Sequence, residues 1–455
     1  MSIRTKNPAT GELIAEYPTM TDAQVRSRLD RTGAAFRQWS RSSFAERSRV
    51  AGRIASLIRE RSEVLAELIT DEMGKPIEQA RAEVAKSAWM FDHNAAHAEE
   101  DLSPREVATE MSRSMVCYRP LGVVFAIMPW NFPLWQVTRF TAPNLMAGNA
   151  AVLSHAPIST GMGLAIESLF RDAGLPEDVF ASLVIEDAQA AGVIADPNVA
   201  AVTITGSGSA GRAVAVESAR HLKKVVLELG GNDPYLILED ADLDHAADCC
   251  VDLRMLVSGQ VCVSPKRLIA VNSIYDAFEA RVLERVSEYL CGDPRLSTTK
   301  LGPLARSDLR ETVHQQVTRT VSDGATCLMG GQIQAGPGFF YPATVLRDIP
   351  RGSAADREEI FGPVLSLFCA DGEAAAVRMA NDTPFGLGAA VFTADVAKGE
   401  RLAREELEAG TCAVNTFVSS DPRLPFGGIK QSGFGRESSA EGIREFCNTK
   451  VLHIR

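Results

Sequence analysis

Residues 200–229 read AAVTITGSGSAGRAVAVESARHLKKVVLEL, and this stretch decides the fold. Its pattern is that of an apolar strand at 200–205, a glycine-rich turn, a helix at 212–224 and a second strand at 225–229. Strand, helix and strand in this order form a unit whose two strands run parallel in one sheet. Because parallel sheets carry helices on both faces, the stretch predicts an α/β protein.

The same alternation of apolar runs and helical segments continues on both sides of this unit. Upstream strand-like runs lie at 122–127, 150–154 and 179–184. A second series follows Asn232 and includes residues 234–238, 268–271, 325–329 and 388–392. Residues 22–99 have apolar side chains at helical spacing, whereas residues 107–118 and 449–455 alternate as strands do. We therefore predict two doubly wound lobes with a cleft between them.

The composition excludes several classes of function. Acidic residues outnumber basic ones by 58 to 47, and the net charge of −11 would repel nucleic acid and anionic membranes. The longest apolar stretch, residues 121–135, is too short to cross a bilayer, and the N-terminus lacks the apolar core of a signal peptide. Nine cysteines without a CxxC pair favour a reducing compartment. We expect a cytoplasmic protein that binds neither nucleic acid nor membranes.

Gly206, Ser207 and Gly211 belong to a GxGxxG string at the turn between the first strand and the helix. Glycines there let the backbone approach a pyrophosphate, and the helix N-terminus attracts negative charge. A glycine-rich turn without a ligand is the alternative. Glu228 lies in the following strand beside two glycines, a place that suits either the adenosine ribose or the wall of an active site. Spacing alone does not choose between these two roles.

Cys262 and Asn131 are candidates for covalent chemistry. Cys262 lies in a glycine-containing loop that could expose a nucleophilic thiol, although most cysteines are small buried hydrophobes. Asn131 lies between two prolines, which would hold its amide as a rigid oxyanion donor; an ordinary turn is the alternative. His93 and His97 have the spacing of a metal pair, but no third ligand accompanies them, so we expect no metal site.

Seven motifs together resemble the aldehyde dehydrogenase superfamily, and they occur in the family's order along essentially the whole chain. They are EMGKP at 72–76, PWNFP at 129–133, TGS at 205–207, ELGG at 228–231, GQVC at 259–262, EIFGPV at 359–364 and PFGG at 425–428. The resemblance implies an aldehyde dehydrogenase-like α/β fold with two doubly wound parallel-sheet lobes and a small oligomerisation β-extension. The implied domains are a cofactor-binding domain at 1–106 and 122–228, to which 417–439 returns, a catalytic domain at 229–416, and an oligomerisation extension at 107–121 and 440–455.

The resemblance also implies an NAD(P)-dependent oxidation of a small aldehyde. Cys262 would be the nucleophile, Glu228 the general base, and Asn131 would form the oxyanion hole with the Cys262 backbone N–H. The residues implied for cofactor binding are Trp130, Ser154, Gly206, Ser207, Gly211, Leu229, Glu359 and Phe361. Ser207 would lie near the pyrophosphate and Glu359 on the nicotinamide ribose.

Two departures from the family leave open whether NAD or NADP is the cofactor. Ser154 stands where the family usually has a lysine that holds the adenosine ribose or its 2′-phosphate. Pro157 stands where NAD-preferring members have a glutamate, which would repel a 2′-phosphate. Charge at these two positions therefore neither selects nor excludes the phosphorylated nucleotide.

Arg139 and Ser420 match residues that hold the substrate's distal carboxylate in succinate-semialdehyde dehydrogenases. A guanidinium fork and a hydroxyl suit a carboxylate, although a structural salt bridge is the alternative for Arg139. Trp135 and Arg254 complete the implied substrate site, with Arg254 standing in for an arginine that some of those enzymes carry at 256–257. The implied substrate is a short carboxylated aldehyde, first of all succinate semialdehyde.

The resemblance implies a homodimer or homotetramer, in which the extension strands pair with a neighbouring subunit. Other hypotheses remain open at this stage. The substrate could be glutarate semialdehyde or an uncharged aliphatic aldehyde, or the chain could be a catalytically silent oligomeric binding protein. The joint presence of Cys262, Glu228 and Asn131 argues against the silent protein. Glu228, as a hydrolytic base, also argues against a CoA-dependent acylating enzyme.

Overall fold

The N-terminal part of the molecule is a hairpin followed by four helices; the structure, a computed structural model, describes residues 2–455. The hairpin pairs β1 (Ser2–Lys6) with β2 (Leu13–Pro18) in antiparallel register. The helices are α1 (Asp22–Trp39), α2 (Phe44–Glu60), α3 (Ser62–Met73) and α4 (Ile77–Asp101). The helical prediction for residues 22–99 is confirmed, whereas the hairpin was not foreseen. A capping box at Thr21 begins α1, and Gly74 ends α3 at a left-handed φ of 79°.

The first sheet contains the glycine-rich unit. Its strands are β5 (Val123–Met128), β6 (Ala150–His155), β7 (Phe180–Ser182), β8 (Val199–Thr205), β9 (Lys224–Glu228) and β17 (Gly433–Phe434). Its helices are α5 (Trp135–Ala147), α6 (Thr160–Asp172), α7 (Ala190–Ala195) and α8 (Gly208–Arg220). The order is β17-β9-β8-β5-β6-β7, and all pairs are parallel except β17 with β9. The last part of the chain therefore returns to the first sheet.

The second sheet has seven strands. They are β10 (Pro234–Ile237), β11 (Arg267–Val271), β12 (Thr326–Met329), β13 (Thr344–Arg347), β14 (Val364–Ala370), β15 (Gly388–Phe392) and β16 (Thr411–Val414). Its helices are α9 (Leu243–Met255), α10 (Tyr275–Val286), α11 (Ser307–Ser322), α12 (Ala354–Arg357), α13 (Glu373–Asn381) and α14 (Val396–Arg401). The order is β12-β13-β14-β11-β10-β15-β16, with only β12 antiparallel. The two parallel-sheet lobes are thus confirmed, while the domain boundaries stay a prediction.

The third sheet is small and lies outside both lobes. It joins β3 (Arg105–Glu106), β4 (Arg113–Pro120) and β18 (Cys447–Ile454), the last following helix α15 (Ser439–Glu445). The strand predicted over residues 107–118 begins later, at Arg113. The Thr109 hydroxyl bonds both the Ser114 hydroxyl and the Met111 N–H, which closes a turn where strand pairing was expected.

The hydrophobic core is continuous between the two large sheets. Phe125 and Val202 in the first sheet belong to the same buried cluster as Tyr235, Leu268 and Leu365 in the second. Parallel strands bury both faces, which explains why these strands are apolar at nearly every position. In the described part of the chain no helix is long and apolar enough to cross a membrane.

Candidate active site

A pocket of about 400 Å³ lies where α4 and α5 meet the loop after α9 and the segment 417–426. Its walls are mostly apolar, with contributions from Phe132, Trp135, Leu253, Val261, Phe417 and Phe426. The Cys262 side chain also lines it, together with Lys86, Arg139 and Ser420. A concave apolar site with a few convergent polar groups is the usual form of a small-molecule pocket.

The loop before Cys262 has an unusual backbone. Val257, Ser258 and Gly259 all have positive φ, at 51°, 54° and 75°. This conformation is costly for a β-branched residue such as Val257, so the surrounding contacts must hold it in place. A Cβ at position 259 would overlap the Gly362 carbonyl, which explains the glycine there. The loop before Cys262 therefore packs closely against the segment that carries Glu359.

Arg254 holds this loop in place. It is fully buried and does not line the pocket. Its guanidinium donates to the carbonyls of Val364 (2.6 Å), Ile360 (2.6 Å) and Gly259 (3.2 Å) and to the Ser264 hydroxyl (2.6 Å). Substrate binding by Arg254 stays a prediction, and this geometry does not favour it, because the donors of Arg254 are already used between the two loops.

The Cys262 thiol is subject to opposing electrostatic effects. Burial raises its pKa to about 11, while the positive charges of Lys266 and Arg139 act to lower it. The Lys266 ammonium donates to the Cys262 carbonyl at 2.5 Å and lies 3.2 Å from Glu359. Because burial is the larger of these effects, the group is a thiol at neutral pH in this arrangement.

Asn131 lies beside the cysteine loop, as the sequence predicted. It is buried, and its Nδ2 donates to the Gln260 carbonyl at 2.9 Å, two residues from Cys262. The Gln260 side chain in turn donates to Val257 and accepts from the Ala305 N–H, which fixes the loop that the amide meets. An amide nitrogen carries two hydrogens, so the second can still donate to an oxyanion.

Glu228 ends β9 in a fully buried position next to Gly427. Its Oε1 has no hydrogen-bond partner. Burial, and then repulsion from Glu437, raise its pKa well above that of a free glutamate, although Arg139 and Arg436 oppose the shift. The base role requires an ionised carboxylate, whereas this environment favours the protonated acid, a point that the sequence did not reveal.

Arg139 and Ser420 both line the pocket, but their partners differ from the expectation. The Arg139 Nε is ion-paired with Glu437, and the guanidinium stacks 4.6 Å from the Phe426 ring centroid. Ser420 accepts a hydrogen bond from the Lys86 ammonium at 3.2 Å, and Lys86 lies 4.4 Å from the Trp135 ring centroid. Lys86 was missed because a lysine on an amphipathic helix resembles an ordinary solvated side chain.

The residues predicted to hold a dinucleotide surround the end of the first sheet. The Ser207 hydroxyl caps α8 by accepting from the Ala210 N–H, and a Cβ at Gly211 would overlap Leu229. Gly206 follows β8 and is only half-buried, and a Cβ there would meet only the Ile204 side chain, at ordinary contact distance. Ser154 is half-buried near the end of β6. A free helix N-terminus with an accessible glycine fits a pyrophosphate.

The nicotinamide side of the predicted cofactor site lies near the cysteine loop. A Cβ at Gly230 would overlap the Glu359 carboxylate, so the glycine lets this side chain lie over the backbone. Trp130 contacts Phe361 edge to face, with ring centroids 5.9 Å apart. The Glu359 Oε1 lies 3.2 Å from the Lys266 ammonium, and carboxylate oxygens have more than one acceptor site, so the carboxylate can still accept from ribose hydroxyls. These residues fit the bound nucleotide that the sequence implied.

A nucleotide-binding α/β lobe joined to a lobe that presents a cysteine in a pocket defines a class of dehydrogenase that works through a thiol. The chain matches the Aldehyde dehydrogenase family over residues 1–452. A protein of Synechocystis sp. named "Probable succinate-semialdehyde dehydrogenase", with NADP(+), is 44% identical over 454 residues, covering 100% of both chains. The NAD(P)+ succinate semialdehyde dehydrogenase Sad of Escherichia coli is 43% identical over 446 residues, covering 98% of this chain and 96% of its own.

Solved structures agree with this assignment. The crystal structure of succinic semialdehyde dehydrogenase from Streptococcus pyogenes, in complex with NADP+, superposes with a TM-score of 0.97 at 33% identity and covers 99% of each chain. The chain belongs to the aldehyde dehydrogenase family, and the recognition made from its motifs is confirmed.

Proposed function

We propose that the protein oxidises succinate semialdehyde to succinate, with NADP+ or NAD+ as the hydride acceptor. The observation that carries this proposal is that one apolar pocket contains the Cys262 thiol together with cationic and hydroxyl side chains. A four-carbon aldehyde with a carboxylate matches such a mixture of walls. The names of the relatives in Synechocystis and Escherichia coli support the same substrate.

The first chemical step is addition of the Cys262 sulfur to the aldehyde carbon. The thiol first gives its proton to solvent water; the thiolate then adds to the carbon, and the C=O π electrons move to the oxygen, which becomes the alkoxide of a thiohemiacetal. Asn131 Nδ2 and the Cys262 backbone N–H donate to that oxygen. The position of Asn131 beside Gln260 supports this role, because it places the amide within two residues of the nucleophile.

The nucleotide supplies an acceptor for the hydride that leaves the former aldehyde carbon. Ser207 at the start of α8 and Glu359 beside Gly230 are the groups proposed to hold its pyrophosphate and its nicotinamide ribose. Trp130, Ser154, Leu229 and Phe361 are proposed to contact the rest of it. The relatives use NADP(+) or NAD(P)+ by name, and Pro157 places no carboxylate against a 2′-phosphate.

Hydrolysis of the resulting Cys262 thioester needs a base, and Glu228 is the proposed one. Its pKa is raised by burial, so water must reach the carboxyl before it can lose its proton. The unpartnered Oε1 is an acceptor for that water. Attack by the activated water gives the carboxylic acid and restores the Cys262 thiol.

An uncharged aliphatic aldehyde is the second candidate substrate. The observation that favours it is the Arg139–Glu437 ion pair, which uses the charge that the sequence assigned to a carboxylate.

We further propose a cytoplasmic homodimer or homotetramer. Exposed apolar residues on the third sheet support the assembly, since Val451, Leu452 and Ile454 are 57%, 42% and 41% exposed.

A steady-state assay tests the proposed function. Wild type is assayed with succinate semialdehyde, glutarate semialdehyde and butanal, each with NAD+ and with NADP+. We expect the highest kcat/KM with succinate semialdehyde, and we expect Cys262→Ala to abolish turnover while nucleotide binding, followed by calorimetry, is retained. Higher kcat/KM with butanal would favour the second candidate. Turnover by Cys262→Ala would contradict the mechanism.

A further inference from the structure

Within the described residues 2–455, Lys86 is the only lysine that lines the active-site pocket, and it has no ion-pair partner there. Among residues 2–455 no carboxylate oxygen lies within ion-pair distance of its Nζ. The acidic residues around it are already engaged: Glu83 pairs with Lys75, Glu78 with Arg81, and Asp421 with Arg423. An unpaired charge at a pocket wall is a functional-site signal, because buried cations in folded proteins usually have a counter-ion.

The surroundings of Lys86 hold its ammonium in place. Its Nζ donates to the Ser420 Oγ at 3.2 Å and lies 4.4 Å from the centroid of the Trp135 ring. Since the serine oxygen accepts this bond, the serine hydrogen is free to donate elsewhere, and the ammonium keeps two further hydrogens. A cation, an aromatic face and a hydroxyl donor therefore converge at one end of the pocket.

Arg139 also lines this pocket, but its situation differs from that of Lys86. Its Nε is ion-paired with Glu437 and its guanidinium stacks on Phe426, although its Nη2 has no hydrogen-bond partner among residues 2–455. A carboxylate within ion-pair distance thus partly offsets the charge of Arg139, whereas none lies at that distance from Lys86. Desolvation, followed by repulsion from Arg139, lowers the pKa of Lys86 to about 8, while Asp421 and Glu83 act to raise it. An incoming anion would add its own attraction for the ammonium and raise the pKa further.

From this geometry we infer that Lys86, with the Ser420 hydroxyl, receives the distal carboxylate of the substrate and selects anionic aldehydes over uncharged ones. The inference rests on the proposed oxidation of a carboxylated aldehyde. The carboxylate accepts from the Lys86 ammonium and from the Ser420 O–H, while the aldehyde group lies at the Cys262 end of the same pocket. Lys86 is thereby a determinant of specificity for the reaction.

The test compares charged and uncharged aldehydes in matched variants. Lys86→Met removes the charge but keeps the length of the side chain, Lys86→Arg keeps the charge, and Lys398→Met removes a half-buried lysine outside the pocket. We expect Lys86→Met to lower kcat/KM for succinate semialdehyde by about tenfold or more, mainly through KM, and to change that for butanal by less than about twofold. Lys86→Arg should restore most of the selectivity, and Lys398→Met should behave as wild type.

The outcomes separate this inference from the proposed function. If wild type prefers succinate semialdehyde and Lys86→Met keeps the same preference, Lys86 is not the carboxylate receiver and the inference is overturned while the function stands. If wild type prefers butanal, the inference about Lys86 and the proposed function are both contradicted. Calorimetric titration with succinate, the product, gives a readout that needs no turnover: Lys86→Met must bind it about tenfold more weakly than wild type, and equal affinities contradict the inference.

Discussion

The Cys262 thiol shows how far residue-level chemistry depends on packing. The motif around it was recognisable in the sequence, but the sequence could not report that burial outweighs Lys266 and Arg139 and raises the pKa to about 11. Glu228 is a similar case, since its position beside Gly427 and Glu437 sets its protonation. In this arrangement burial favours the protonated, neutral form of both the Cys262 thiol and the Glu228 carboxyl.

The reactivity of Cys262 should therefore increase steeply with pH. Only the thiolate is alkylated, and a raised pKa means that its fraction grows about tenfold per pH unit until the pKa is approached. We expect the rate of iodoacetamide addition to Cys262, followed by mass spectrometry of its peptide in the absence of nucleotide, to increase from pH 7 to pH 9 without levelling off.

A short peptide with blocked termini and one cysteine, assayed in parallel, provides the reference for a solvated thiol and should begin to level off near pH 8.5. A Cys262 profile that reaches its plateau below pH 8 would mean that the neighbouring cations prevail over burial and lower the pKa of the thiol instead of raising it.

Some residue contacts can be predicted from the local sequence, whereas others depend on residues far away in the chain. The local surroundings of Asn131 and Ser207, a turn and a helix start, follow from short motifs, since turn chemistry and helix capping are local; their roles stay predictions. The contacts of Arg139 and Arg254 could not be predicted from local sequence, because their partners Glu437 and Val364 lie about 300 and about 110 residues away along the chain. A long-range ion pair or hydrogen bond leaves no periodic pattern in the sequence.

At the scale of elements, strands with continuous apolar runs were predictable, whereas short or half-buried strands were not. Continuous apolar runs such as β8 and β11 carry the signal of a buried parallel strand. β16, by contrast, is half-buried throughout, and β17 has only two residues. Their existence depends on the neighbours β15 and β9, so tertiary pairing and not local preference defines them.

The loop between α9 and Cys262 depends on Arg254. Arg254→Met would leave several buried carbonyls without a donor and release Gly259 from the segment that carries Ile360. We expect a loss of about 3 kcal/mol in the free energy of unfolding, measured in urea, together with a decrease in kcat because the nucleophile is no longer held.

Ser264→Ala is the matched control for this prediction. It removes a single partner of Arg254, so it should lower the unfolding free energy by only about 1 kcal/mol and leave kcat close to wild type. If Arg254→Met has the wild-type urea midpoint and kcat, the loop is held by other contacts.

At the scale of the whole molecule, β18 forms an exposed edge of the third sheet, with apolar side chains along it. Unpaired edges of this kind favour pairing with another chain. We expect wild type to sediment as a dimer or tetramer, and the double variant Leu452→Glu, Ile454→Glu to dissociate toward monomer. Analytical ultracentrifugation at matched concentrations gives the measurement.

The control for this experiment is Leu290→Glu, Leu296→Glu, which places the same two charges at exposed leucines outside the third sheet. It should sediment as wild type. A monomeric wild type, or a Leu452→Glu, Ile454→Glu variant with unchanged mass, would contradict the proposed assembly.

The return of the last segment to the first sheet has a consequence for synthesis on the ribosome. Ser420 contacts Lys86, the Ser432 carbonyl accepts from the Leu229 N–H, and Glu437 pairs with Arg139. These contacts at and near the pocket can form only after the final tenth of the polypeptide has been synthesised. A nascent chain from which Cys262 has already emerged therefore lacks one wall of the active-site pocket. Premature termination before about residue 437 would yield a chain whose reactive Cys262 thiol lacks a complete pocket around it.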